Sequence, residues 1–112
     1  MANNTLINSD HNFLRILFLD AQIGSGSSDW FETTLMEKAT FHLVGIEPTA
    51  TIQIMGRNDL SQPASTTDGP ILITLNSTVQ LGVDSSRPRW IKVKKNSAAG
   101  AIASTVIMEA TR

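Results

Sequence analysis

The residues best suited to bind a metal ion are Asn58, Asp59 and Asp68, which lie in one polar stretch of the chain. Carboxylate and amide oxygens are the ligands that calcium prefers. In turns, however, Asp and Asn side chains more often accept hydrogen bonds from nearby backbone N–H groups, and we favour that role here. The only histidines, His11 and His42, have no partners at metal-ligand spacing. The sequence therefore predicts neither a metal site nor a cofactor.

Candidate nucleophiles and phosphate-binding loops give no stronger signal. Gly24-Ser25-Gly26 lacks the lysine of a phosphate-binding loop and is not followed by a helix signal. The serines near Ser25 and Ser61 have no histidine in a triad-like context, and the chain contains no cysteine. We therefore expect a protein that is not an enzyme and that acts through its surfaces.

The segment from Arg87 to Lys95 holds five of the nine Lys and Arg residues of the chain. Nine acidic and three basic residues precede it, which gives residues 1–86 a formal charge of −6, whereas residues 87–112 carry +5. The net charge of −1 over 112 residues therefore hides a strong asymmetry. An acidic body with a basic C-terminal quarter is suited to docking on another protein or on copies of itself.

This basic strand has three interpretations. Binding of nucleic acid through its cations and Trp90 is the weakest, because the overall charge is negative and only one aromatic residue is interleaved. A solvated edge protected by lysine and an interface strand that meets an acidic partner are about equally favoured. The candidate partner-binding residues are Arg87, Arg89, Trp90, Lys92, Lys94 and Lys95, with Arg57, Asn58 and Asp59 from the preceding polar loop.

Alternation sends the cations of the basic strand to both faces of a sheet, and the neighbouring residues supply little acid. We therefore expect that some of them face solvent or a partner. If so, replacing Lys92 and Lys94 by Glu should leave the fold intact, since changes of exposed charge rarely alter stability by much.

The elements that must position these residues are short strands. Thr49 to Met55 alternates, with Ala50, Ile52 and Ile54 on one side and polar residues on the other, which is typical of a half-buried antiparallel strand. The opening segment Phe13 to Leu19 is compatible with a strand or a short helix. Further strands are predicted in the segment ending at Val44, and at Ile71–Leu75, Thr78–Val83, Arg89–Lys95 and Ala101–Glu109.

Seven or eight short strands separated by turn signals indicate an all-β fold: one antiparallel β-sandwich of jelly-roll type over residues 13–112. Residues 1–12 are polar and unpatterned, so we expect a flexible N-terminal arm. The polar stretch from Gly56 to Gly69 is long for an ordinary connection and is predicted to be a functional or mobile loop. The predicted core between the sheets comprises Ile52, Ile54, Ile91, Val93, Val106 and Met108.

A series of short motifs carries a family resemblance. They are Trp30-Phe31-Glu32, the segment Ala39 to Gly45, the segment Ala50 to Asp59, Arg87-Pro88-Arg89-Trp90-Ile91-Lys92-Val93 and the closing Val106-Ile107-Met108-Glu109. In this order they resemble the small virion β-sandwich proteins of tailed bacteriophages. In that family the corner after the strand usually reads Gly-Ser-Asn-Asp. Here Arg57 takes the place of Ser, and Leu60 replaces the Gly that follows.

The resemblance implies a virion structural protein, commonly a head decoration or cement protein that binds the outer capsid surface. The implied partners are the major capsid protein and further copies of the chain, as a homo-oligomer or as lattice neighbours, and the implied location is the virion after synthesis in the host cytoplasm. No membrane partner is expected, since we see no signal peptide and no apolar run long enough to span a bilayer. No nucleic-acid partner is expected either, because the overall charge is slightly negative. The alternative is a tail- or fibre-associated module that binds a host-surface glycan, although aromatic residues make up only 5% of the chain.

Overall fold

Ten β-strands make up the regular secondary structure in the computed structural model, which describes residues 5–9 by their backbone and residues 13–33, 37–84, 88–97 and 102–111 in full. The strands are β1 (Thr5–Ser9), β2 (Phe13–Gln22), β3 (Gly26–Ser27), β4 (Phe31–Glu32), β5 (Lys38–Val44), β6 (Thr51–Arg57), β7 (Ile71–Leu75), β8 (Val79–Asp84), β9 (Trp90–Asn96) and β10 (Ser104–Thr111). No helix in this part of the chain is long and apolar enough to cross a membrane.

The strands form two antiparallel sheets. Sheet A has the order β1-β2-β10-β5-β8, and sheet B has the order β3-β9-β6-β7 with β4 also paired to β9. The pairings are nested along the chain, because β2 pairs with β10, β3 and β4 with β9, β5 with β8, and β6 with β7. Such a chain, folded back on itself and wrapped into two sheets, is a jelly roll. The predicted all-β sandwich is therefore confirmed.

The core between the sheets follows from the alternation of apolar residues. In β6 the side chains of Ile52 and Ile54 are fully buried, and across the β6–β9 pairing Ile54 lies opposite Val93, which is also fully buried. From sheet A, β10 contributes Val106 and Met108 to the same cluster. All six residues predicted for the core, including Ile91, belong to it.

The first strand differs from the sequence-based expectation of a flexible arm over residues 1–12. The backbone of Thr5–Ser9 pairs with β2, so that Thr5 lies opposite Leu17 and Ser9 opposite Leu14. Residues 5–9 therefore belong to sheet A. The rest of the predicted arm lies outside the described residues.

The end of β5 is fixed by one glycine. Gly45 has a φ of 82°, and a Cβ atom there would lie 2.4 Å from the carbonyl oxygen of Ala103. Only glycine adopts this backbone conformation without strain and fits this close approach. Its N–H donates to the carbonyl of Thr78 at 2.7 Å, which continues the β5–β8 pairing beyond β5.

The assignment of Ile54 to the core predicts that Ile54→Ala lowers the free energy of unfolding by about 2–5 kcal/mol, because it removes buried methyl groups and leaves a cavity. Ile71→Ala in the neighbouring strand is the matched control, since Ile71 is 51% exposed, and it should cost well under half of that. Urea unfolding of both variants measures the difference. A loss at Ile54 no larger than that at Ile71 would show that the core is wrongly assigned.

Candidate interaction surface

The basic strand is β9, and its alternation places the cations in two different environments. Ile91 and Val93 point into the core, and Lys95 follows them on the inward side at the end of the sandwich. Trp90, Lys92 and Lys94 therefore lie on the outer face of sheet B. Arg87 lies outside the described residues.

Lys95 is fully buried and bonded to three different segments of the chain. Its Nζ lies 3.2 Å from Oε2 of Glu47, and it donates to the carbonyl oxygens of Gln22 at 3.0 Å and Ile102 at 2.8 Å. Glu47 is only 2% exposed. All three donor protons of the ammonium group therefore have acceptors, which is what allows a lysine to be buried.

The Glu47 carboxylate is itself held by donors on both oxygens. The Ser97 hydroxyl donates to Oε1, and the Ile102 N–H donates to Oε2 at 3.3 Å. The hydrogen bond from Ser97 is the main cause that lowers the pKa of Glu47 to about 2, with a further contribution from Lys95, against the opposing effect of burial. The carboxylate therefore stays charged at any pH above the strongly acidic range.

Lys92 is the second buried cation, with 1% of its side chain exposed. Its Nζ donates to the carbonyl oxygens of Ser65 at 2.7 Å and Thr67 at 3.0 Å, and it lies 3.2 Å from Oδ1 of Asp68. The ammonium also lies 5.8 Å from the centre of the Trp30 ring, within cation–π range. Lys92 thus holds the loop that connects β6 to β7 against the outer face of sheet B.

The same loop, residues 58–70, is bonded to two buried tryptophans. The indole N–H of Trp30 donates to the Thr67 carbonyl at 3.0 Å, and that of Trp90 donates to the Asp59 carbonyl at 2.9 Å. Both rings pack with Met55 in a small cluster on the outer side of sheet B. The loop predicted to be functional or mobile is therefore fixed at several points.

A second set of ion pairs and hydrogen bonds holds the start of this loop, where it leaves β6. Arg57 makes a bidentate pair with Asp59, at 2.9 and 3.0 Å, and the hydrogen bonds lower the pKa of that carboxyl and raise the pKa of the guanidinium. The Asn58 side chain accepts from the N–H of Arg89 at 2.9 Å. The guanidinium of Arg89 in turn lies 2.7 Å from Glu32 on the adjacent strand.

Asp68 pairs with lysine rather than with a metal ion. Its Oδ2 accepts from Lys94 at 2.9 Å, and this bond, helped by Lys92, lowers the pKa of the carboxyl. The side chains of Asp59 and Asn58 are likewise engaged, with Arg57 and with the N–H of Arg89. Among the residues that the structure describes, no group of three or more His, Cys, Asp or Glu side chains is placed to hold a metal ion.

The structure thus brings the predicted partner-binding residues together, but mainly as contacts within the chain. Lys92 and Lys95 are buried, so these two are not among the cations expected to face solvent or a partner. The expectation that Lys92 and Lys94 tolerate Glu is wrong for the same reason at Lys92, where a second carboxylate would face Asp68 and two carbonyls. Arg89 and Lys94 are partly exposed, and their role toward a partner stays a prediction.

The structure also shows an apolar surface on sheet A that was not predicted from the sequence. On the outer face of sheet A, the edge strand β8 exposes Val79 at 66%, Leu81 at 64% and Val83 at 53%. Across the β5–β8 pairing, Val79 lies beside Val44, which is 48% exposed. We call these four residues the apolar patch. Alternation of apolar residues in β8 predicts a strand at Thr78–Val83, but it does not indicate which face of that strand is exposed.

A depression of about 390 Å³ adjoins the apolar patch on the same face. It is lined by Thr40, His42, Val79, Gln80, Leu81 and Glu109. His42 is exposed here on the outward side of β5, as the alternation of that strand predicts. The face therefore combines apolar side chains at its edge with polar side chains toward its centre.

Comparison of the chain with protein-family models, with curated proteins and with solved structures finds no match. The resemblance to phage virion proteins therefore depends on the short motifs of the sequence and is a hypothesis.

The two adjacent lysines of β9 provide a matched test of the buried ion pair. Lys95→Met leaves the buried Glu47 carboxylate without its cation, and it should lower the free energy of unfolding by about 3–5 kcal/mol. Lys94→Met breaks a partly exposed pair and should cost at most about 1 kcal/mol. Chemical denaturation of both variants measures this. Equal losses would contradict the structural role of Lys95.

The lowered pKa of Glu47 predicts how stability depends on pH. In the unfolded chain the carboxyl has its usual pKa of 4.5, so below that pH the unfolded state binds more protons than the folded state. The contribution of Glu47 is therefore complete above about pH 5 and is lost as the pH falls toward 2.

Thermal unfolding measured from pH 6 to pH 2 should show this loss, and Glu47→Gln should flatten the slope. Part of the slope should persist in the variant, because Asp59 and Asp68 also have lowered pKa values. An unchanged slope in Glu47→Gln would mean that this carboxyl has an ordinary pKa in the folded protein.

Proposed function

We propose that the protein is a structural component of a tailed-phage virion, and specifically a decoration or cement protein that binds the outer surface of the capsid and stabilises the shell. The single observation that best supports a docking role is the apolar patch on sheet A. Contiguous apolar patches on soluble proteins often mark sites of protein–protein interaction.

The distribution of charge supports the choice of sheet A as the docking face. The cations and carboxylates around β9 are engaged with one another and with loop carbonyls, so sheet B has little charge left to offer a partner. The apolar patch carries no charged residue, and its cross-strand neighbours Thr40 and His42 are not carboxylates or strong bases. A partner for this face is therefore an uncharged, apolar region of a capsid subunit.

The mechanism follows from rigidity and apolar burial. The bonded loop and the buried Lys95–Glu47 pair keep the sandwich in one shape, so binding costs little ordering of the chain. Full burial of a Val or Leu side chain stabilises a contact by roughly 1.5–3 kcal/mol. A rigid body docked across neighbouring capsid subunits then opposes their separation under the pressure of packaged DNA.

The alternative proposal is a tail- or fibre-associated module that binds a host-surface glycan. The depression beside the apolar patch favours it, because Thr40, His42, Gln80 and Glu109 bring several hydrogen-bonding groups to one concave site. Sugar sites generally add an aromatic ring for stacking, and the described tryptophans Trp30 and Trp90 are buried elsewhere. For this reason we place the capsid proposal first.

Particles that lack the protein should release DNA at a lower temperature than complete particles, and purified protein added back should restore the difference. Val44→Lys should weaken decoration at least tenfold, because it places a charge in the docking contact. Leu60→Lys is the matched control, since Leu60 is 89% exposed in the loop over sheet B. Capsid sedimentation with labelled protein measures binding.

Two outcomes would contradict the account. If Leu60→Lys abolishes decoration and Val44→Lys does not, the docking surface is the loop over sheet B. If the protein binds host polysaccharide and does not bind capsids, the glycan proposal replaces the capsid proposal.

A further inference from the structure

The edge strand β8 lacks the features that normally prevent an edge from pairing with another chain. Its residues 79–83 include no lysine, arginine or proline, and its pairing with β5 has no register shift. The other sheet edges are protected: β3 and β4 have two residues each, β7 follows Pro70 and adjoins a register shift, and the β1–β2 pairing also contains a shift. An unprotected apolar edge promotes aggregation, so such edges are rare except where they form a specific interface.

The hydrogen bonds of β8 show which of its backbone groups face outward. Gly45 donates its N–H to Thr78, so the Gly45–Thr78 position is a hydrogen-bonded pair of the antiparallel ladder. Hydrogen-bonded and non-hydrogen-bonded pairs alternate along such a ladder. Val79, Leu81 and Val83, which lie opposite Val44, His42 and Thr40, are therefore the residues whose N–H and C=O groups point away from β5.

β8 is also held firmly in place for pairing. A Cβ atom at Gly82 would lie 3.0 Å from the side chains of Ile73 and Leu75, so the β8 backbone packs directly on β7. The Gln80 side chain accepts hydrogen bonds from the N–H groups of Asn76 and Ser77 in the preceding turn, at 2.7 and 3.1 Å. Little conformational entropy remains to be lost when a second strand pairs with it.

We propose that β8 pairs antiparallel with β8 of a second copy of the chain, about a two-fold axis at Leu81. In this register Leu81 lies opposite Leu81 of the second copy, and Val79 lies opposite Val83 in both directions. All three residues are the ones with outward N–H and C=O groups, so the pairing forms about six main-chain hydrogen bonds. Sheet A of one copy and sheet A of the second copy, each of five strands, then become one continuous sheet.

The observations favour a second copy over a strand of another protein because this register is self-complementary. It places Val and Leu side chains opposite one another on the outer face, where cross-strand pairs of this kind stabilise a sheet. Asp84, the one charged residue of β8, lies opposite the neutral Thr78 of the second copy, so no like charges meet. A two-fold axis requires this kind of match of a surface with itself.

Pairing would also place the two apolar patches side by side on the same face. If the proposed function holds, the dimer presents two docking faces in fixed relation and can engage two neighbouring capsid subunits, which raises the avidity without new contacts. The pairing itself does not depend on that function and is tested without capsids.

Sedimentation equilibrium of the full chain over a wide concentration range should show the mass rise toward twice that of one chain. Leu81→Lys places two ammonium groups together at the axis and should weaken association at least tenfold. Leu60→Lys is the matched control and should associate like the parent. A parent that stays monomeric throughout, or a Leu81→Lys variant that dimerises like the parent, would overturn the proposal.

The absence of cysteine from the chain allows a direct test of the register. Hydrogen-bonded antiparallel neighbours have Cα atoms about 5.5 Å apart, which is compatible with a disulfide. Leu81→Cys should therefore form a disulfide dimer on mild oxidation, much faster than Leu60→Cys. Val79→Cys and Val83→Cys should cross-link rapidly only when mixed.

Cross-linking of Leu81→Cys no faster than that of Leu60→Cys would overturn the pairing, whatever the result with capsids. A parent protein that stays monomeric and still decorates capsids, with decoration lost in Val44→Lys, would leave the proposed function intact and would show that the dimer is not needed for it.

Discussion

The buried ion pair between Lys95 and Glu47 is the constraint on which the rest of the structure depends. It joins the end of β9 to the β5–β6 connection, and the same ammonium group binds the carbonyls of Gln22 and Ile102. Segments that are far apart in the sequence therefore meet at one end of the sandwich. Removing either charge would leave the other buried without its counter-ion, which is far more costly than losing a surface pair.

The nested strand order brings the opposite charges of the two parts of the chain together. β9 lies between β6 and the short strands β3 and β4, so its cations come next to the carboxylates of the acidic part of the chain. Glu32, Glu47 and Asp68 pair with Arg89, Lys95 and Lys94 respectively. A pattern that suggested docking on an acidic partner is thus largely satisfied within the protein, and the surface that we propose for a partner is the uncharged apolar edge of sheet A.

Much of the fold could be predicted from the sequence. Strict alternation over residues 51–55 and at Ile91 and Val93 identified the core, because a strand buried on one face must place its apolar residues on that side. The burial of Lys92 and Lys95 could not be predicted in this way. Their acceptors are carbonyl groups and carboxylates more than 20 residues away in most cases, and alternation does not reveal that a loop covers the outer face of a sheet.

The orientation of β8 could not be predicted from the sequence either. Its apolar residues alternate as in a core strand, but they point outward because Gly82 packs on Ile73 and Leu75 from the inner side. Which face of an edge strand is buried depends on the element that packs against it, and sequence alone does not identify that element.

The central claim is that Lys92 and Lys95 of β9 are buried and bonded within the protein. NMR spectra of the lysine side-chain ammonium groups test it most directly, because buried and hydrogen-bonded ammonium protons exchange slowly with water, whereas solvated ones exchange quickly. Of the four lysines, Lys92 and Lys95 should give slowly exchanging signals near neutral pH, and Lys38 and Lys94 should not. Fast exchange at all four would contradict the account and would mean that β9 presents its charges to solvent.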